Sequence, residues 1–186
     1  MLMKQRGFSL TEVLIAMAIG SLLLLSTSRF LPGLQQAVLR QSGQRELEEE
    51  VWQRLFAIGK EFQRAGYCAG KCQGQALIIA EQGRCAIVQW DANSNGKWDM
   101  SASENERTGF RLQAGVLESL HGASHCEGKG WEKLTDPDRV MIQQFVVSKT
   151  EHPGFAPELN IALAAIRKGA QGDAYQAHYS VTGYNL

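Results

Sequence analysis

The sequence predicts an α+β fold in which one long N-terminal helix packs on an antiparallel β-meander. A long apolar run begins at Phe8, an amphipathic stripe with helical spacing follows it, and short β-type segments separated by turn residues fill the rest. With 186 residues the chain is about one domain long. Its 19 basic and 19 acidic residues balance, so composition indicates neither a nucleic-acid partner nor a disordered acidic tail.

The first element is the apolar run from Phe8 to Ser28. No charged residue lies between Val13 and Leu25. A helix of this length, at about 1.5 Å per residue, crosses roughly 30 Å of hydrocarbon. Lys4 and Arg6 precede the run, and cations beside a membrane segment favour the cytoplasmic side. We therefore expect residues 8–31 to be the transmembrane half of the helix and the C-terminal bulk to be exported.

Three interpretations of this segment compete. It is an ordinary secretory signal cut after Ser28, a plain single-span anchor, or a signal that is cut before the apolar run. Glu12 favours the third, because a carboxylate costs roughly 2.5–3.5 kcal/mol at the bilayer centre and a disposable signal has no use for it. A cut after Gly7 would create a free amine on Phe8, within one helical turn of Glu12.

Residues 7–12, Gly-Phe-Ser-Leu-Thr-Glu, followed by the apolar run, resemble the start of type IV pilins. The resemblance implies that residues 1–7 are a prepilin leader. Prepilin peptidase would then cut between Gly7 and Phe8 and N-methylate Phe8. It also implies that Glu12 serves assembly by pairing with the terminal amine of a neighbouring subunit.

The second element, residues 32–66, is predicted to be the amphipathic half of the same helix. Its apolar stripe has spacings of three and four and consists of Leu47, Val51, Leu55, Ile58 and Phe62. Pro32 predicts a kink or local melting, because proline lacks a backbone donor and clashes with the preceding turn. Gly66 and the region from Cys68 to Cys72 are expected to end the helix.

The remaining residues, 67–186, are predicted to form a β-rich globular domain. Strands are predicted at Ala76–Ala80, Cys85–Trp90, Thr108–Gln113, Val116–Leu120, Val140–Ser148, Leu159–Ile166 and Tyr175–Thr182. A long helix followed by an antiparallel meander is the fold that the pilin resemblance implies.

A narrower resemblance lies in scattered short segments of this domain. Residues 64–68, 88–96, 109–112, 116–118 and 179–186 are similar to the J-type minor pseudopilins. This implies a structural, initiating subunit of a type IV pilus, in a tip or priming complex with I-, K- and H-type minor pilins and the major pilin. The alternative within the class is a J-type subunit of a type II secretion system. Either implies a single-pass inner-membrane protein with a periplasmic domain, which then enters a pilus tip or pseudopilus.

Four cysteines lie downstream of the apolar run, which in an exported domain predicts two disulfides. Four cysteines allow three connectivities. We favour Cys68 with Cys72, which closes a short loop at the helix end. Cys85 with Cys126 then ties the first long strand to the 121–130 loop. The other two connectivities stay open.

One loop has the ligand spacing of a calcium-binding loop. Oxygen side chains occupy its first, third, fifth and ninth positions, with glycine sixth: Asp91, Asn93, Asn95 and Asp99. The twelfth position is Ala102 rather than a bidentate Glu, and Glu104 or Glu106 could replace it only by a different path. A simple hairpin loop is the alternative, because Asn-Gly is a turn signal. Calcium is thus a possible cofactor, and none is required.

No residues are predicted to be catalytic. The chain has no nucleophile elbow, no phosphate-binding glycine loop and no evident pair of carboxylates, so we do not expect an enzyme. Two functions of other classes stay open. A DNA-binding pilin would need a basic stripe, which the exported part does not reveal. A soluble periplasmic protein with an ordinary signal peptide would begin after Ser28.

Overall fold

A computed structural model of the chain describes residues 7–101, 103–169 and 174–186, and of Arg29 the backbone alone. It divides into two compact units, one ending at Arg45 and one spanning Glu46–Leu186. A long N-terminal helix and antiparallel sheets make up the described residues, which confirms the predicted α+β class.

Helix α1 spans Leu10–Arg64. Its N-terminal part is long and apolar enough to cross a membrane, and the apolar side chains of that part are exposed within the unit. The helix continues through Pro32, so the local melting considered there does not occur. Proline removes only one N–H donor, and the hydrogen bonds of the turns on either side keep the helix continuous.

The helix ends where the sequence predicts, just before Gly66. This glycine has a φ of 86°, a left-handed conformation that favours glycine. A Cβ here would lie 2.1 Å from the carbonyl oxygen of Asn185, so no larger residue fits. The N–H of Gly66 donates to the carbonyl of Gln89 at 2.9 Å, which joins the helix end to a strand.

Across the described residues, eight strands form two antiparallel sheets. The first sheet has the order β1-β2-β3-β4-β5, and the second the order β6-β7-β8. The strands are β1 Leu77–Ala80, β2 Cys85–Gln89, β3 Arg107–Gln113, β4 Val116–His121, β5 Glu132–Lys133, β6 Val140–Thr150, β7 Glu158–Arg167 and β8 Tyr175–Thr182. All seven predicted strands form. The two-residue β5 was not predicted, because a Glu-Lys pair has no strand signal of its own.

The main core lies between α1 and both sheets. The predicted helical stripe is buried in it, and none of its five side chains is more than 4% exposed. Phe62 meets Phe110 of β3 edge to face at 6.0 Å. Gly59 lies so close to β8 that a Cβ would come within 2.3 Å of the Tyr179 ring. The helix therefore packs closely on strands from the two sheets.

A smaller apolar cluster lies on the opposite face of the first sheet. Successive side chains of strand β2 point alternately into the main core and into the smaller cluster. Ala86 and Val88 lie in the main core, and Cys85 and Ile87 lie in the smaller cluster. Trp131, from the segment before β5, packs against that cluster. Because both faces are covered, every residue of β2 is buried.

Candidate functional site

The N-terminal motif lies at the start of α1. Gly7, Phe8 and Ser9 precede the first helical residue and are exposed, and Phe8 is 89% exposed. A Cβ on Gly7 would have no neighbour within 4 Å. The Gly7–Phe8 bond therefore lies in an accessible, non-helical segment, which is the geometry that a peptidase requires.

Glu12 has a partner in its own chain. The N–H of Ser9 donates to the Glu12 carboxylate at 2.9 Å, and the Ser9 carbonyl accepts from Val13 N–H at 3.2 Å. Ser9 is thus the N-cap and Glu12 the third helical residue, in the Ser-x-x-Glu order of a capping box. The structure shows the Glu12 half of that motif, while the Ser9 hydroxyl contacts the Thr11 hydroxyl. This signature is local in the sequence and gives Glu12 a role in its own chain, in addition to the assembly role that the pilin resemblance implies. Glu12 therefore stabilises the helix start before any neighbour is present.

The structure joins the four cysteines as Cys68–Cys72 and Cys85–Cys126, which is the favoured pairing. The second bond joins β2 to the loop before β5. Arg111 of β3 holds the same loop, because its Nη1 donates to the Cys126 carbonyl at 2.7 Å. Its Nε donates to Glu118 at 2.8 Å, and its guanidinium lies 4.3 Å from the centre of the Trp131 ring. No pattern along the chain indicates this role of Arg111, because its partners lie 7 and 15 positions away.

Asp91 is fully buried at the start of the predicted calcium loop. Its carboxylate accepts the N–H groups of Ala69, Asn95 and Gly96 at 2.9–3.0 Å. Burial by itself would raise the pKa of Asp91. The backbone donors, which include Ser94, outweigh it and lower the pKa below its ordinary value of 3.8.

The other three predicted ligands lie close to one another. The Asn93 and Asn95 side-chain amides donate to Asp99 Oδ2 at 3.1 and 2.6 Å. The loop therefore brings together an all-oxygen set of the kind that hard cations prefer. The amide oxygens of Asn93 and Asn95 each accept one hydrogen bond and keep a second lone pair. Asp91 Oδ2 and Asp99 Oδ2 each already accept two hydrogen bonds, which a bound cation would have to replace. In composition the set fits calcium.

Glu106 lies beyond the calcium-type spacing, which offers it only as an indirect replacement for the twelfth ligand, yet it contacts the loop directly. It is buried, and its carboxylate accepts the N–H groups of Ala92, Asn93 and Asp99 at 2.8–3.2 Å. Cys68 and Cys72 also lie near Asp91, but their sulfurs are joined to each other and offer no thiolate. The structure therefore uses Glu106 to hold the loop backbone.

A helix with an exposed apolar first half and a buried apolar stripe in its second half, begun by Gly-Phe-Ser-Leu-Thr-Glu, defines the class: this is a type IV pilin-like protein. The family model of prepilin peptidase-dependent protein B matches residues 40–183, and that of the prokaryotic N-terminal methylation motif matches residues 2–28. The chain belongs to the family of prepilin peptidase-dependent protein B.

A curated relative supports this assignment. The chain is 52% identical over 184 residues to prepilin peptidase-dependent protein B of Escherichia coli (strain K12), covering 98% of each protein. No solved structure matches the chain. The resemblance to type IV pilins is therefore confirmed. The scattered segments compared with J-type pseudopilins also resemble this enterobacterial protein, and the likeness to the enterobacterial protein is confirmed.

Two general conclusions follow from the family and the helix. The methylation motif together with the apolar start of α1 indicates that the chain is anchored in a membrane. The family consists of pilin-like structural proteins rather than of enzymes.

Proposed function

We propose that the chain is a minor pilin, a structural and initiating subunit of type IV pilus assembly. The observation that carries this proposal is the N-terminal motif, with Gly7 and Phe8 exposed ahead of a helix whose apolar first half is long enough to span a membrane. Such a helix can be stored in the bilayer and then packed against the helices of other subunits, because both environments are apolar.

In this function the chain is first a single-pass inner-membrane protein with a periplasmic globular unit. Prepilin peptidase removes residues 1–7 and methylates Phe8. The processed chain then joins a tip or priming complex with I-, K- and H-type minor pilins, beneath which the major pilin adds. Its own position is the J-type one, as the scattered segment resemblance suggests.

Glu12 fits a subunit that sits beneath another and neutralises the terminal amine of that neighbour. Its carboxylate is exposed in the single chain and accepts a backbone N–H of Ser9. A carboxylate in apolar surroundings is stabilised by a nearby cation. The methylated amine of a neighbouring subunit supplies that cation in the assembly.

Deletion and complementation in the cell of origin test this function. Cells that lack the chain should have fewer surface filaments and normal export of folded proteins, and the wild-type gene should restore the filaments. Resemblance to J-type pseudopilins supplies the second candidate, a subunit of a type II secretion system. Loss of secretion with unchanged filaments would select that candidate instead, and loss of neither would contradict both.

A further inference from the structure

The two sheets have four edge strands, and three of them are short or covered. Strand β1 has four residues and β5 has two. The edge of β6 is covered by the first sheet, since Ile142 N–H donates to the Gly115 carbonyl at 2.8 Å. Further along β6, Gly83 lies so close that a Cβ would be 2.5 Å from the Val147 carbonyl oxygen. Such shortening and covering prevent unwanted strand pairing.

Strand β8 lacks these protective features. It has eight residues, and among the described strands it pairs with β7 alone. Its sequence, Tyr-Gln-Ala-His-Tyr-Ser-Val-Thr, contains no proline, lysine, arginine or acidic residue. Its register with β7 has no bulge. A long, regular, uncharged edge is one to which another strand can add.

The register shows which backbone groups face outward from β8. Gly183 N–H donates to the Pro157 carbonyl at 2.8 Å, in the same register as the β7–β8 ladder. Residues at every second position from Gly183 therefore bond to β7, because bonded and non-bonded pairs alternate in antiparallel sheets. The positions between them point their N–H and C=O groups outward: Gln176, His178, Ser180 and Thr182.

Two exposed aromatic residues lie at one end of this edge. Phe155 precedes Pro157 by two residues, and Tyr184 follows Gly183, so the Pro157–Gly183 hydrogen bond brings their segments together. Phe155 is 81% exposed and Tyr184 is 78% exposed. Aromatic side chains are enriched in protein interfaces, where they bury large areas with little loss of rotamer entropy.

We propose that the free edge of β8 binds an extended, uncharged segment of a neighbouring pilin-like subunit by strand addition. The partner's backbone pairs with the outward groups of residues 176–182, and an apolar side chain of the partner packs on Phe155 and Tyr184. The absence of charge along β8 selects a partner segment that brings no unpaired charge into the new sheet. This inference rests on the proposed function, since it names the surface through which the minor pilins meet.

A symmetric dimer formed through β8 does not fit this edge. Trp52 donates to the Tyr175 hydroxyl at 3.0 Å, Phe56 meets Tyr179 at 5.1 Å, and the helix end at Gly66 meets Asn185. These contacts advance along both elements together, so residues 52–66 of the helix and strand β8 run in the same direction. If β8 paired antiparallel with β8 of a second copy, the helices of the two copies would point in opposite directions. Two chains that enter their globular units from one membrane cannot meet in that way.

A pair of substitutions at His178 separates the backbone contact from the side chain. His178→Pro removes an N–H that the fold leaves free, and proline is tolerated where a strand's N–H faces outward. His178→Ala keeps that N–H and removes the imidazole. We expect tagged full-length His178→Pro to co-isolate N-methylated pilin-like subunits from solubilised membranes about five- to tenfold less than wild type. His178→Ala should stay within about twofold of wild type.

Amide hydrogen exchange gives a second measurement that needs no variant. In the wild-type complex the amides of residues 176, 178, 180 and 182 should exchange more slowly than in the isolated chain, while that of Tyr179 is protected in both. Equal exchange of the outward amides in both states overturns the proposal, as does pairing of β8 with a second copy. If His178→Pro fails to fold, this exchange measurement decides. If the wild-type chain co-isolates no pilin-like subunit, the proposed function itself fails.

Discussion

The carboxylates of Asp91 and Glu106 hold the same loop from its two sides. Asp91 accepts the N–H groups of Asn95 and Gly96, whereas Glu106 accepts those of Ala92, Asn93 and Asp99. Asp91 also accepts the N–H of Ala69, so it ties the loop to the segment that follows the helix. Two buried acids thus fix a loop that has little regular secondary structure.

Asp91→Asn should destabilise the fold more than its small change in size suggests. An Asn side chain has one acceptor oxygen, and its amide group would face a backbone donor, so at least one buried N–H loses its partner. We expect a loss of about 1–3 kcal/mol in the free energy of unfolding. Urea unfolding of the full chain in detergent measures it, and Glu127→Gln, which neutralises an exposed acid, is the matched control. Equal stability of Asp91→Asn and wild type would contradict this role.

The lowered pKa of Asp91 also predicts a pH dependence. Because the folded state holds this pKa below the ordinary value of 3.8, the folded state keeps the carboxylate charged at pH values where the unfolded state binds a proton. Its contribution to stability is complete above that ordinary value and is lost as the pH falls through the folded pKa. Asp91→Asn should remove this acid-dependent component, so its stability should decline less than that of wild type below about pH 4.

Calcium binding at Asp91, Asn93, Asn95 and Asp99 remains a proposal with a direct test. A ligand that binds only the folded state stabilises it by about 2.7 kcal/mol at a hundredfold excess over its Kd. We therefore expect the melting temperature of the full chain to be higher in millimolar calcium than in chelator. Asp99→Asn should reduce the difference, because it removes a charged ligand and leaves the buried Asp91 and Glu106 contacts in place. Identical melting temperatures in calcium and chelator would show that the segment is a bare hairpin loop.

The two disulfides should differ in their effect on stability. Cys85–Cys126 closes a separation of 41 residues and Cys68–Cys72 one of 4. By loop entropy the first contributes about 4 kcal/mol and the second about 2 kcal/mol. Replacing each pair by alanine, with the other pair as control, measures the two effects in urea. Non-reducing peptide mapping of exported protein should recover both bonds, and a free thiol at Cys126 would contradict the pairing.

The sequence predicted the helix and its long strands well because their signals are local. The apolar stripe of α1 and the alternating apolar residues of β6, β7 and β8 each repeat with their own period. The division into two sheets was not predicted, since it depends on where the chain goes after the turn at Asp136, whose carbonyl accepts from Arg139 and Val140. Alternation within one strand does not show which sheet the strand joins.

The candidate site was also predicted only in part, because some of its residues have a local sequence signal and others do not. The spacing of residues 91–99 was sufficient to predict that Asp91, Asn93, Asn95 and Asp99 lie together. The contributions of Glu106 and Arg111 come from hydrogen bonds to residues 7–15 positions away in a folded loop, so no pattern along the chain indicates them. The capping box of Ser9 and Glu12 had a local signature, but Glu12 was interpreted only through assembly.

Cleavage should fall between Gly7 and Phe8. The bond is exposed and precedes the helix, and a basic leader precedes it in sequence. Intact-mass analysis of protein extracted from membranes should therefore find a chain that starts at Phe8 and carries one methyl group. The same protein from cells without prepilin peptidase should retain residues 1–7 and is the matched control. A mature chain that starts at Arg29 would contradict the pilin interpretation.

The exposed Glu12 carboxylate should matter for assembly more than for folding, and two substitutions separate its two roles. Glu12→Gln keeps an oxygen that can accept the Ser9 N–H and thus preserves the helix cap, but it removes the charge. Glu12→Leu removes both, and it should enter the membrane at least as well as wild type because a membrane charge worth up to roughly 3 kcal/mol is lost. Both variants should keep the disulfides and the stability of the globular unit, since the described contacts of that unit begin at Glu46.

If the charge pairs with a neighbour's amine, Glu12→Gln and Glu12→Leu should lower surface filaments and co-isolated minor pilins to a similar extent. If the cap is what matters, Glu12→Gln should assemble like wild type and only Glu12→Leu should be impaired. Assembly need not vanish in either variant, because apolar helix packing and contacts of the globular unit persist. Glu12→Lys places a cation beside the neighbour's amine and should be the most severe of the three. Wild-type filament numbers in both Glu12→Leu and Glu12→Lys would show that the charge of this residue has no part in assembly.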